Sequence, residues 1–400
     1  MPGHKGKISF YDITEIDGAD NLACPKQEIL TAQNNIADIY KSKNSFISVN
    51  GSTGAVLASI LSTCKNGEII MDRQCHISAI NGVILSRAVP HFIYPKIHSF
   101  FGVGMGITPN QVQEAINKYP NSKAVLITSP TYYGVCSNIK GICEIAHNHG
   151  IPVIVDAAHG AHFAFDEKLP ECSIEAGADI VVHSTHKTLN CLTQGALAHI
   201  SGNIIDCNSF KKHLNMVQTT SPSYLLMQSV EQSVYDAKKC DYKKLIDICE
   251  EVREKSKIKT LCDGFYDYDK TRLVFNGKNI DLHFAKKNII IEMYDGYNAV
   301  LIPTPYNKNR DFKRLINAVA DCTLEPSPNN KVLPNADVFM APYEAYNMET
   351  VRLPKKEATG KICAEIIYKF PPCMPVLCPG EIVTEDVLDY IDEYILCIKN

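Results

Sequence analysis

The chain has 400 residues, of which 45% are hydrophobic and 21% are charged. This length and composition exclude wholesale disorder and leave room for two or three domains around a large core. The 40 basic and 44 acidic residues give a formal net charge of −4, which excludes the strongly basic surface of a protein that binds nucleic acid or an anionic membrane. We therefore expect neither nucleic acid nor a membrane as a partner.

The first residues and the cysteines bear on the cellular compartment. Residues 1–6 lack the apolar stretch of a signal peptide, and no run reaches the roughly 18 apolar residues of a membrane-spanning helix. There are 16 cysteines, but a chain of this length can bury a core without disulfides, and no Cys-x-x-Cys pair indicates a metal site. We expect a cytoplasmic protein that contains no metal site.

From residue 44 to about residue 201, short apolar runs alternate with amphipathic helical patterns. The runs predicted as strands cover residues 46–49, 68–71, 91–94, 124–128, 152–155 and 179–182. Between two of them, Ile139, Ile142, Cys143 and Ala146 share one helix face, and Gly150 follows at the position of a C-cap. This alternation predicts an α/β fold with a mostly parallel sheet covered by helices. We assign residues 44–257 to this large domain, after an N-terminal segment of residues 1–43.

The pattern changes in the C-terminal part of the chain. Residues 223–257 have the charged and apolar spacing of long helices, and the strands predicted after them are fewer, at residues 289–293 and 299–302. A helix follows, with one apolar stripe made of Phe312, Leu315, Ile316 and Val319. Prolines then predict a rigid loop over residues 370–375. We expect residues 258–400 to form a smaller α+β domain.

Three segments follow predicted strands, at the edge where an open parallel sheet binds ligands. Residues 50–54 open a helical run, so that backbone N–H groups and the hydroxyls of Ser52 and Thr53 suit a phosphate group. Asp156 ends an apolar strand, where its carboxylate requires a partner such as a pyridinium N–H or a metal ion. Lys187 follows the next predicted strand, in a setting that makes its amine available as a nucleophile.

Each of these segments has an ordinary structural interpretation when it is taken alone. A Gly-Ser-Thr-Gly turn is a common helix start, an aspartate after a strand often caps a turn, and lysines are common on surfaces. Together, the phosphate-binding turn, Asp156 and Lys187 predict a site for pyridoxal 5′-phosphate (PLP). In such a site the aspartate keeps the ring nitrogen protonated and the lysine holds the cofactor as a Schiff base. His76 follows another strand and is placed to stack on the ring, although it also fits an ordinary helix start.

The order of the motifs resembles the Orn/Lys/Arg decarboxylases, PLP enzymes of fold type I, the aspartate-aminotransferase fold. The matching motifs are Pro-Gly-His-Lys-Gly at residues 2–6, Asp-Ile-Thr-Glu at 12–15, Asn-Gly-Ser-Thr at 50–53, Asp-Arg-x-Cys-His at 72–76, Ser-Pro-Thr-Tyr-Tyr-Gly at 129–134, Asp-Ala-Ala-His-Gly-Ala-His at 156–162, Ser-x-His-Lys-Thr at 184–188, Thr-Thr-Ser-Pro-Ser-Tyr at 219–224, Pro-Pro-x-x-Pro at 371–375 and Pro-Gly-Glu at 379–381. The resemblance extends over essentially the whole chain.

The resemblance implies a role for each matching residue. Lys187 would form the Schiff base, Asp156 would pair with the pyridine nitrogen, and His76 would stack on the ring. The resemblance places further residues at the phosphate or close to the cofactor: Ser52, Thr53, His159, Ser184 and His186. The segment with Thr220 would reach the phosphate of a neighbouring subunit, which implies a homodimer with shared active sites. Glu381 is a candidate for the distal cationic group of the substrate.

Two positions depart from the pattern of the family. Ile77 stands where a lysine is usual after the stacking histidine, and Cys373 replaces the usual glycine of the Pro-Pro-Gly loop. The loss of a glycine removes backbone freedom at that position. We expect this departure to affect specificity.

The predicted reaction is the PLP-dependent decarboxylation of arginine, lysine or ornithine, which yields a polyamine or its precursor and CO2. An aminotransferase of the same fold would keep Asp156 and Lys187 and differ in the Cα bond that it cleaves. A metal-dependent hydrolase using Asp156, His159 and His162 would leave Lys187 and the phosphate-binding turn without a role. A non-catalytic binding protein would need neither Asp156 nor Lys187.

Overall fold

Strands and helices alternate along the first half of the chain, as the apolar runs predict. The computed structural model describes residues 2–9, 11–322, 324–329, 334–369 and 374–399. Its strands are β1 (Asn44–Ser48), β2 (Glu68–Asp72), β3 (Val89–Ile93), β4 (Ser122–Thr128), β5 (Val135–Cys136), β6 (Val153–Asp156), β7 (Ile180–His183), β8 (Ala196–Ile200), β9 (Lys259–Thr260), β10 (Asp267–Tyr268), β11 (Leu273–Asn276), β12 (Met293–Tyr294), β13 (Asn298–Leu301), β14 (Thr350–Pro354), β15 (Ile367–Lys369), β16 (Met374–Leu377) and β17 (Tyr394–Ile398).

The helices cover both faces of the central sheet and continue into the C-terminal part. They are α1 (Glu28–Tyr40), α2 (Gly51–Thr63), α3 (Ile77–Ser86), α4 (Pro109–Lys118), α5 (Ile139–Asn148), α6 (Thr185–Thr188), α7 (Cys207–Val217), α8 (Tyr224–Ala237), α9 (Tyr242–Lys255), α10 (Ile280–Lys286), α11 (Asn309–Ala320) and α12 (Pro342–Tyr346). Short 3-10 turns lie at Phe163–Phe165, Lys355–Glu357 and Glu385–Tyr390. None of the helices in the described residues has the length and apolar character needed to cross a bilayer.

The central sheet has seven strands in the order β1-β8-β7-β6-β4-β2-β3. The five strands from β7 to β3 are parallel to one another, whereas β8 runs antiparallel to both of its neighbours. This confirms the predicted α/β fold with a mostly parallel sheet. Each of the six predicted strands of this region is present within about two residues of its expected bounds. β8 is not predicted from the sequence, because two of its five residues are alanines, which are depleted in strands.

The strand order brings the predicted site residues to one edge of the sheet. Because β2, β4, β6 and β7 are parallel neighbours, their carboxyl ends lie side by side. Asp156 is the last residue of β6, His76 lies four residues beyond β2, and Lys187 lies on α6 directly after β7. Ligands of open α/β sheets bind at this edge.

Local signals explain where several helices begin. Gly51 starts α2 with φ +67°, a left-handed conformation that favours glycine. Ser223 caps α8 by accepting a hydrogen bond from the N–H of Leu226, and Asp241 caps α9 by accepting one from the N–H of Lys244. The predicted helical region at residues 223–257 therefore consists of two helices, because the second cap begins a new one.

The C-terminal part contains smaller antiparallel sheets. β9, β11, β12 and β13 form one of them, and α11 has the predicted apolar stripe on its buried side.

The strand predicted at residues 289–293 is largely wrong, since only Met293 of that range lies in β12 and Ile290 is 97% exposed. The predicted loop at 370–375 is wrong at its end, because Pro375 pairs with Tyr368 between β16 and β15. Residues 370–373, with Cys373, lie outside the described residues.

The buried side chains form more than one hydrophobic cluster. The largest includes residues from both sides of position 257, such as Val252 and Leu273, and a separate cluster lies within residues 336–397. The predicted boundaries at residues 43 and 257 stay predictions.

Candidate active site

A cavity opens at the carboxyl edge of the central sheet and encloses about 640 Å³ of empty space, part of it open to solvent. Its lining residues are Ser52, Gln74, Cys75, His76, Thr128, Pro130, Thr131, Tyr132, Tyr133, Asp156, Ala158, His159, Lys187 and Met374. The cavity brings together five of the predicted site residues: Ser52, His76, Asp156, His159 and Lys187.

Asp156 reaches the cavity because β6 ends at this residue. Its Oδ1 accepts a hydrogen bond from the N–H of Ala158 at 3.1 Å, and the residue is only 4% exposed. The preceding strand residues are fully buried, so the carboxylate is held by a rigid apolar element. A buried carboxylate is costly unless it meets a donor or a cation, which makes this position suited to a ligand N–H.

Lys187 and His159 are in direct contact on the cavity wall. Lys187 Nζ lies 3.1 Å from His159 Nε2, and Lys187 is partly exposed toward the cavity. His159 Nδ1 lies 3.4 Å from both terminal nitrogens of Arg272. Burial, Lys187 and Arg272 together hold the pKa of His159 well below its ordinary value. His159 is therefore a neutral imidazole between two basic side chains.

His76 has a structural and a site-facing role at the same time. It is the N-cap of α3, and its Nδ1 accepts a hydrogen bond from the N–H of Ser78 at 3.1 Å. The ring also lines the cavity. Burial lowers the pKa of His76, Asp156 acts in the opposite direction, and Lys187 lowers it further. The structure confirms the helix-start interpretation, and stacking of His76 on a cofactor ring stays a prediction.

The residues expected at a phosphate group are distributed less evenly. Ser52 lines the cavity in the first turn of α2, whereas the neighbouring Thr53 is exposed. Ser184 is buried, and its Oγ lies 3.3 Å from Nδ1 of His186, which also contacts the carbonyl oxygen of Gly195 at 3.1 Å. Burial lowers the pKa of His186.

Thr220 lies apart from the cavity of its own chain. It is exposed in the connection between α7 and α8 and does not line the cavity. Its predicted contact is with a neighbouring subunit. This position in an exposed loop leaves the hydroxyl accessible from outside the chain.

Glu381 lies in a buried ion pair rather than on the cavity wall. Its Oε1 and Oε2 accept hydrogen bonds from Nη1 and Nη2 of Arg73 at 2.6 and 2.9 Å. Oε2 also accepts one from the N–H of Cys378 at 2.7 Å, and the residue is 1% exposed. Both carboxylate oxygens are engaged, so this placement does not favour the predicted contact of Glu381 with a substrate.

Sequence reasoning missed two contributors to the site. Tyr132 belongs to the Ser-Pro-Thr-Tyr-Tyr-Gly motif at residues 129–134, but no role was predicted for it. Its ring packs edge-on against His159, and its hydroxyl donates a hydrogen bond to Glu292 at 2.7 Å. Arg272 lies more than a hundred residues from His159, and no local pattern could reveal that contact.

The metal-hydrolase alternative requires Asp156, His159 and His162 to converge. His162 Nε2 instead lies 3.3 Å from Asp269 Oδ1 and from the hydroxyl of Thr271. Within the described residues, no group of three His, Cys, Asp or Glu side chains is arranged to hold a metal ion. The structure therefore does not assemble the ligand set of that alternative.

The chain matches two profiles of one protein family and several curated relatives. The profile described as "Orn/Lys/Arg decarboxylase, major domain" matches residues 6–305, and "Orn/Lys/Arg decarboxylase, C-terminal domain" matches residues 328–398. An arginine decarboxylase of Bacillus subtilis (strain 168) is 32% identical over 410 residues, covering 95% of this chain and 84% of the relative. An arginine decarboxylase of Halalkalibacterium halodurans is 32% identical, covering 96% and 84%.

The solved structures agree at the level of the fold. Lysine decarboxylase A from Pseudomonas aeruginosa superposes with a TM-score of 0.84 at 16% identity, covering 100% of this chain and 78% of that chain. With both family profiles matched along most of its length, the chain belongs to the Orn/Lys/Arg decarboxylase family.

Proposed function

We propose that this chain is a PLP-dependent decarboxylase whose preferred substrate is arginine, which it converts to agmatine and CO2. The observation that carries the proposal is the convergence of Lys187, Asp156 and His76 on one cavity at the carboxyl edge of the sheet. The choice of arginine over lysine and ornithine rests on the likeness of the chain, over most of its length, to relatives named arginine decarboxylase.

The chemistry of the cavity fits the proposed cofactor. Asp156 offers a buried carboxylate to a ring N–H, and Lys187 offers a primary amine to the cofactor carbonyl. Ser52 lies at the N-terminus of the 13-residue helix α2, where backbone N–H groups and the helix dipole favour a phosphate. When bound, PLP supplies an electron sink for the bond that breaks at Cα.

Each residue of the chain has a defined part in the proposal. Lys187 would hold the cofactor through its amine, and Asp156 would keep a proton on the ring nitrogen. His76 would cover one face of the ring. The phosphate would be bound by Ser52, Thr53, Ser184 and His186, while His159 supports Lys187. The walls of the cavity orient the Cα–carboxylate bond and limit access of water.

Glu292 is the carboxylate that we assign to the distal cation of the substrate. Glu292 is exposed and lies outside the cavity lining, but it accepts a hydrogen bond from the hydroxyl of Tyr132, which lines the cavity. Both carboxylate oxygens of Glu381, in contrast, are engaged with Arg73. Glu344, another acidic candidate, lies on α12 and accepts a hydrogen bond from the hydroxyl of Tyr343. A guanidinium group pairs well with a carboxylate because it donates in a planar fork.

The proposed assembly is a homodimer in which Thr220 completes the phosphate site of the partner. Large apolar side chains remain uncovered in the single chain, including Ile8 at 83%, Tyr11 at 77% and Met216 at 69% exposure. Met216 lies at the end of α7, close in sequence to Thr220. The exposed apolar side chain of Met216, close in sequence to Thr220, is compatible with a subunit contact at this end of α7.

The proposal is tested by CO2 release from purified protein with added PLP and arginine, lysine or ornithine in parallel. We expect release from arginine, and we expect its loss by at least about a thousandfold in Lys187→Ala, because the nucleophilic amine is gone. Glu292→Gln should raise KM for arginine more than it lowers kcat, since it removes binding at a distance from the reacting bond.

Two results would contradict the proposal. Formation of a keto acid without CO2 would identify an aminotransferase of the same fold, which is the second candidate. Equal activity of Lys187→Ala and wild type would remove Lys187 from the reaction altogether.

A further inference from the structure

A chain of buried polar contacts links Arg272 through His159 to Lys187 on the wall of the cavity. Arg272 contacts His159 Nδ1 at 3.4 Å through both terminal nitrogens, and His159 Nε2 contacts Lys187 Nζ at 3.1 Å. Arg272 and His159 are 2% and 5% exposed. Bulk water therefore does not compete with these contacts.

The hydrogen-bonding capacity of the three side chains restricts where the protons lie. A guanidinium has only donors and stays protonated in proteins, so His159 Nδ1 must accept from Arg272. A neutral imidazole then carries its single proton on Nε2, which points at Lys187 Nζ. That contact is a hydrogen bond only if Lys187 is an uncharged amine, since an ammonium group has no lone pair to accept with.

Arg272 is itself held in place by buried partners. Its Nη2 lies 3.6 Å from Asp269 Oδ2, and its Nη1 donates to the carbonyl oxygen of Tyr132 at 3.4 Å. Gly134 has φ +87°, and a Cβ there would lie 2.7 Å from Cβ of Arg272, so only glycine lets the arginine pack this closely. Burial raises the pKa of Asp269, but His162 and Arg272 lower it more strongly, so this carboxylate stays charged.

We propose that Arg272 is a positioning residue that fixes the Nε2-protonated tautomer of His159 and thereby keeps Lys187 as an uncharged nucleophile. The inference deepens the proposed function, on which it rests for the reaction of Lys187 with a carbonyl group. Other titratable groups around Lys187 include His76, His186 and Asp156, and Cys75, Tyr132 and Tyr133 line the same cavity. Asp156 acts against the uncharged form, whereas Arg272 and the proton on His159 Nε2 favour it.

The test measures the nucleophilicity of Lys187 in the full chain, freed of PLP, by competitive labelling with trace acetic anhydride between pH 6 and 10. The amine attacks the acyl carbon, the anhydride C–O bond breaks, acetate leaves, and the amine proton passes to the buffer. Peptide mapping by mass spectrometry gives the label on Lys187 relative to exposed lysines. We expect Arg272→Gln to lower the relative rate at neutral pH about tenfold, as a loss of the uncharged amine requires.

Two variants distinguish the positioning of His159 by Arg272 from a general stabilisation of the loop that contains Lys270 and Arg272. Arg272→Lys keeps a cationic donor and should retain most of the wild-type labelling. Arg253 donates to the carbonyl oxygens of Lys270 and Arg272 and supports the same loop without contacting His159. Arg253→Gln should leave the labelling of Lys187 unchanged. Wild-type labelling in Arg272→Gln, or an equal loss in Arg253→Gln, would overturn the inference.

A measurement on the unmutated protein covers the case in which Arg272→Gln does not fold. Long-range 1H–15N correlation spectra of histidine-labelled protein report which ring nitrogen of His159 carries the proton. A proton on Nε2 supports the inference, and a bare Nε2 overturns it. The labelling experiment also distinguishes the inference from the proposed function. If labelling of Lys187 depends on Arg272 but no CO2 is released, only the proposed function is rejected.

Discussion

Asp72 is a carboxylate at the end of β2 that is fully removed from water. Its Oδ1 accepts a hydrogen bond from the N–H of Gln74 at 2.8 Å, whereas Oδ2 has no hydrogen-bond partner in the described residues. Burial raises the pKa of Asp72 to about 7 from its usual 3.8. The folded protein therefore holds a proton that the unfolded chain releases near pH 4.

This raised pKa predicts a pH dependence of stability. Because the folded state binds more protons between about pH 4 and 7, the contribution of Asp72 to stability falls as pH rises through that window. In the wild type, this effect should lower the free energy of unfolding by about 3 kcal/mol between pH 4.5 and pH 7.5. We expect Asp72→Asn to abolish this decrease, as measured by urea unfolding at the two pH values. The same pH slope in variant and wild type would contradict the assignment.

Asp20 provides a control with the opposite sign. Burial raises its pKa, but hydrogen bonds from the backbone N–H groups of Gln27, Lys26, Asn21 and Ile29 lower it more strongly. Its stabilising effect is present above the usual pKa of an aspartate and is lost as pH falls. Asp20→Asn should therefore reduce stability at neutral pH, whereas Asp72→Asn should not.

At the scale of elements, the ion pair of Arg73 with Glu381 joins the end of β2 to the turn after β16. Arg73 Nη2 also donates to the carbonyl oxygen of Val376 at 2.9 Å, and both charged side chains are almost fully buried. Loss of one partner leaves an unpaired buried charge. We expect Glu381→Gln to lower the free energy of unfolding by about 3–5 kcal/mol in urea titrations.

The double variant Arg73→Met with Glu381→Leu tests the physical reason. Removal of both charges avoids the unpaired one, so the double variant should be more stable than Glu381→Gln. If the double variant is less stable than Glu381→Gln, the unpaired charge is not the main cause of the instability. The ion pair would then itself stabilise the fold. CO2 release by Glu381→Gln, corrected for the folded fraction, distinguishes the two roles of Glu381. Wild-type activity per folded molecule indicates a structural role, and a loss of activity indicates the predicted contact with the substrate.

At the scale of the whole molecule, shared active sites predict complementation between two inactive chains. Thr220→Arg should disrupt the phosphate site of the partner, and Lys187→Ala should inactivate the site of its own chain. Mixed dimers of the two would contain one intact site. With random pairing, we expect co-expression to restore about a quarter of the wild-type CO2 release.

A matched pair of variants controls for this experiment. Asp156→Asn and Lys187→Ala both affect the site of their own chain, so their mixed dimers should have no intact site. Recovery of activity in this pair as well, or in neither pair, would speak against the shared assembly.

The central sheet could be predicted from sequence because its signals are local. Buried parallel strands appear as short apolar runs, and β2, β4, β6 and β7 were each expected within about two residues. β8 and β12 were not predicted correctly, for different reasons. In β8, which pairs with β1 and β7, two of the five residues are alanines, and alanine is depleted in strands. β12 has only two residues and pairs with the nearby β13, so it is too short to show a strand pattern.

The cavity could be anticipated for the same reason, but only in part. Asp156, Lys187 and His76 follow strands, and the strand ends of a parallel sheet meet at one edge. The sequence alone therefore determined the fold class, the family and five of the residues that line the cavity. The contacts of Glu381 with Arg73 and of Arg272 with His159 join residues 308 and 113 positions apart, respectively. Only the tertiary structure could decide them, because the pairing of buried charges depends on how separate elements pack and leaves no periodic trace in the chain.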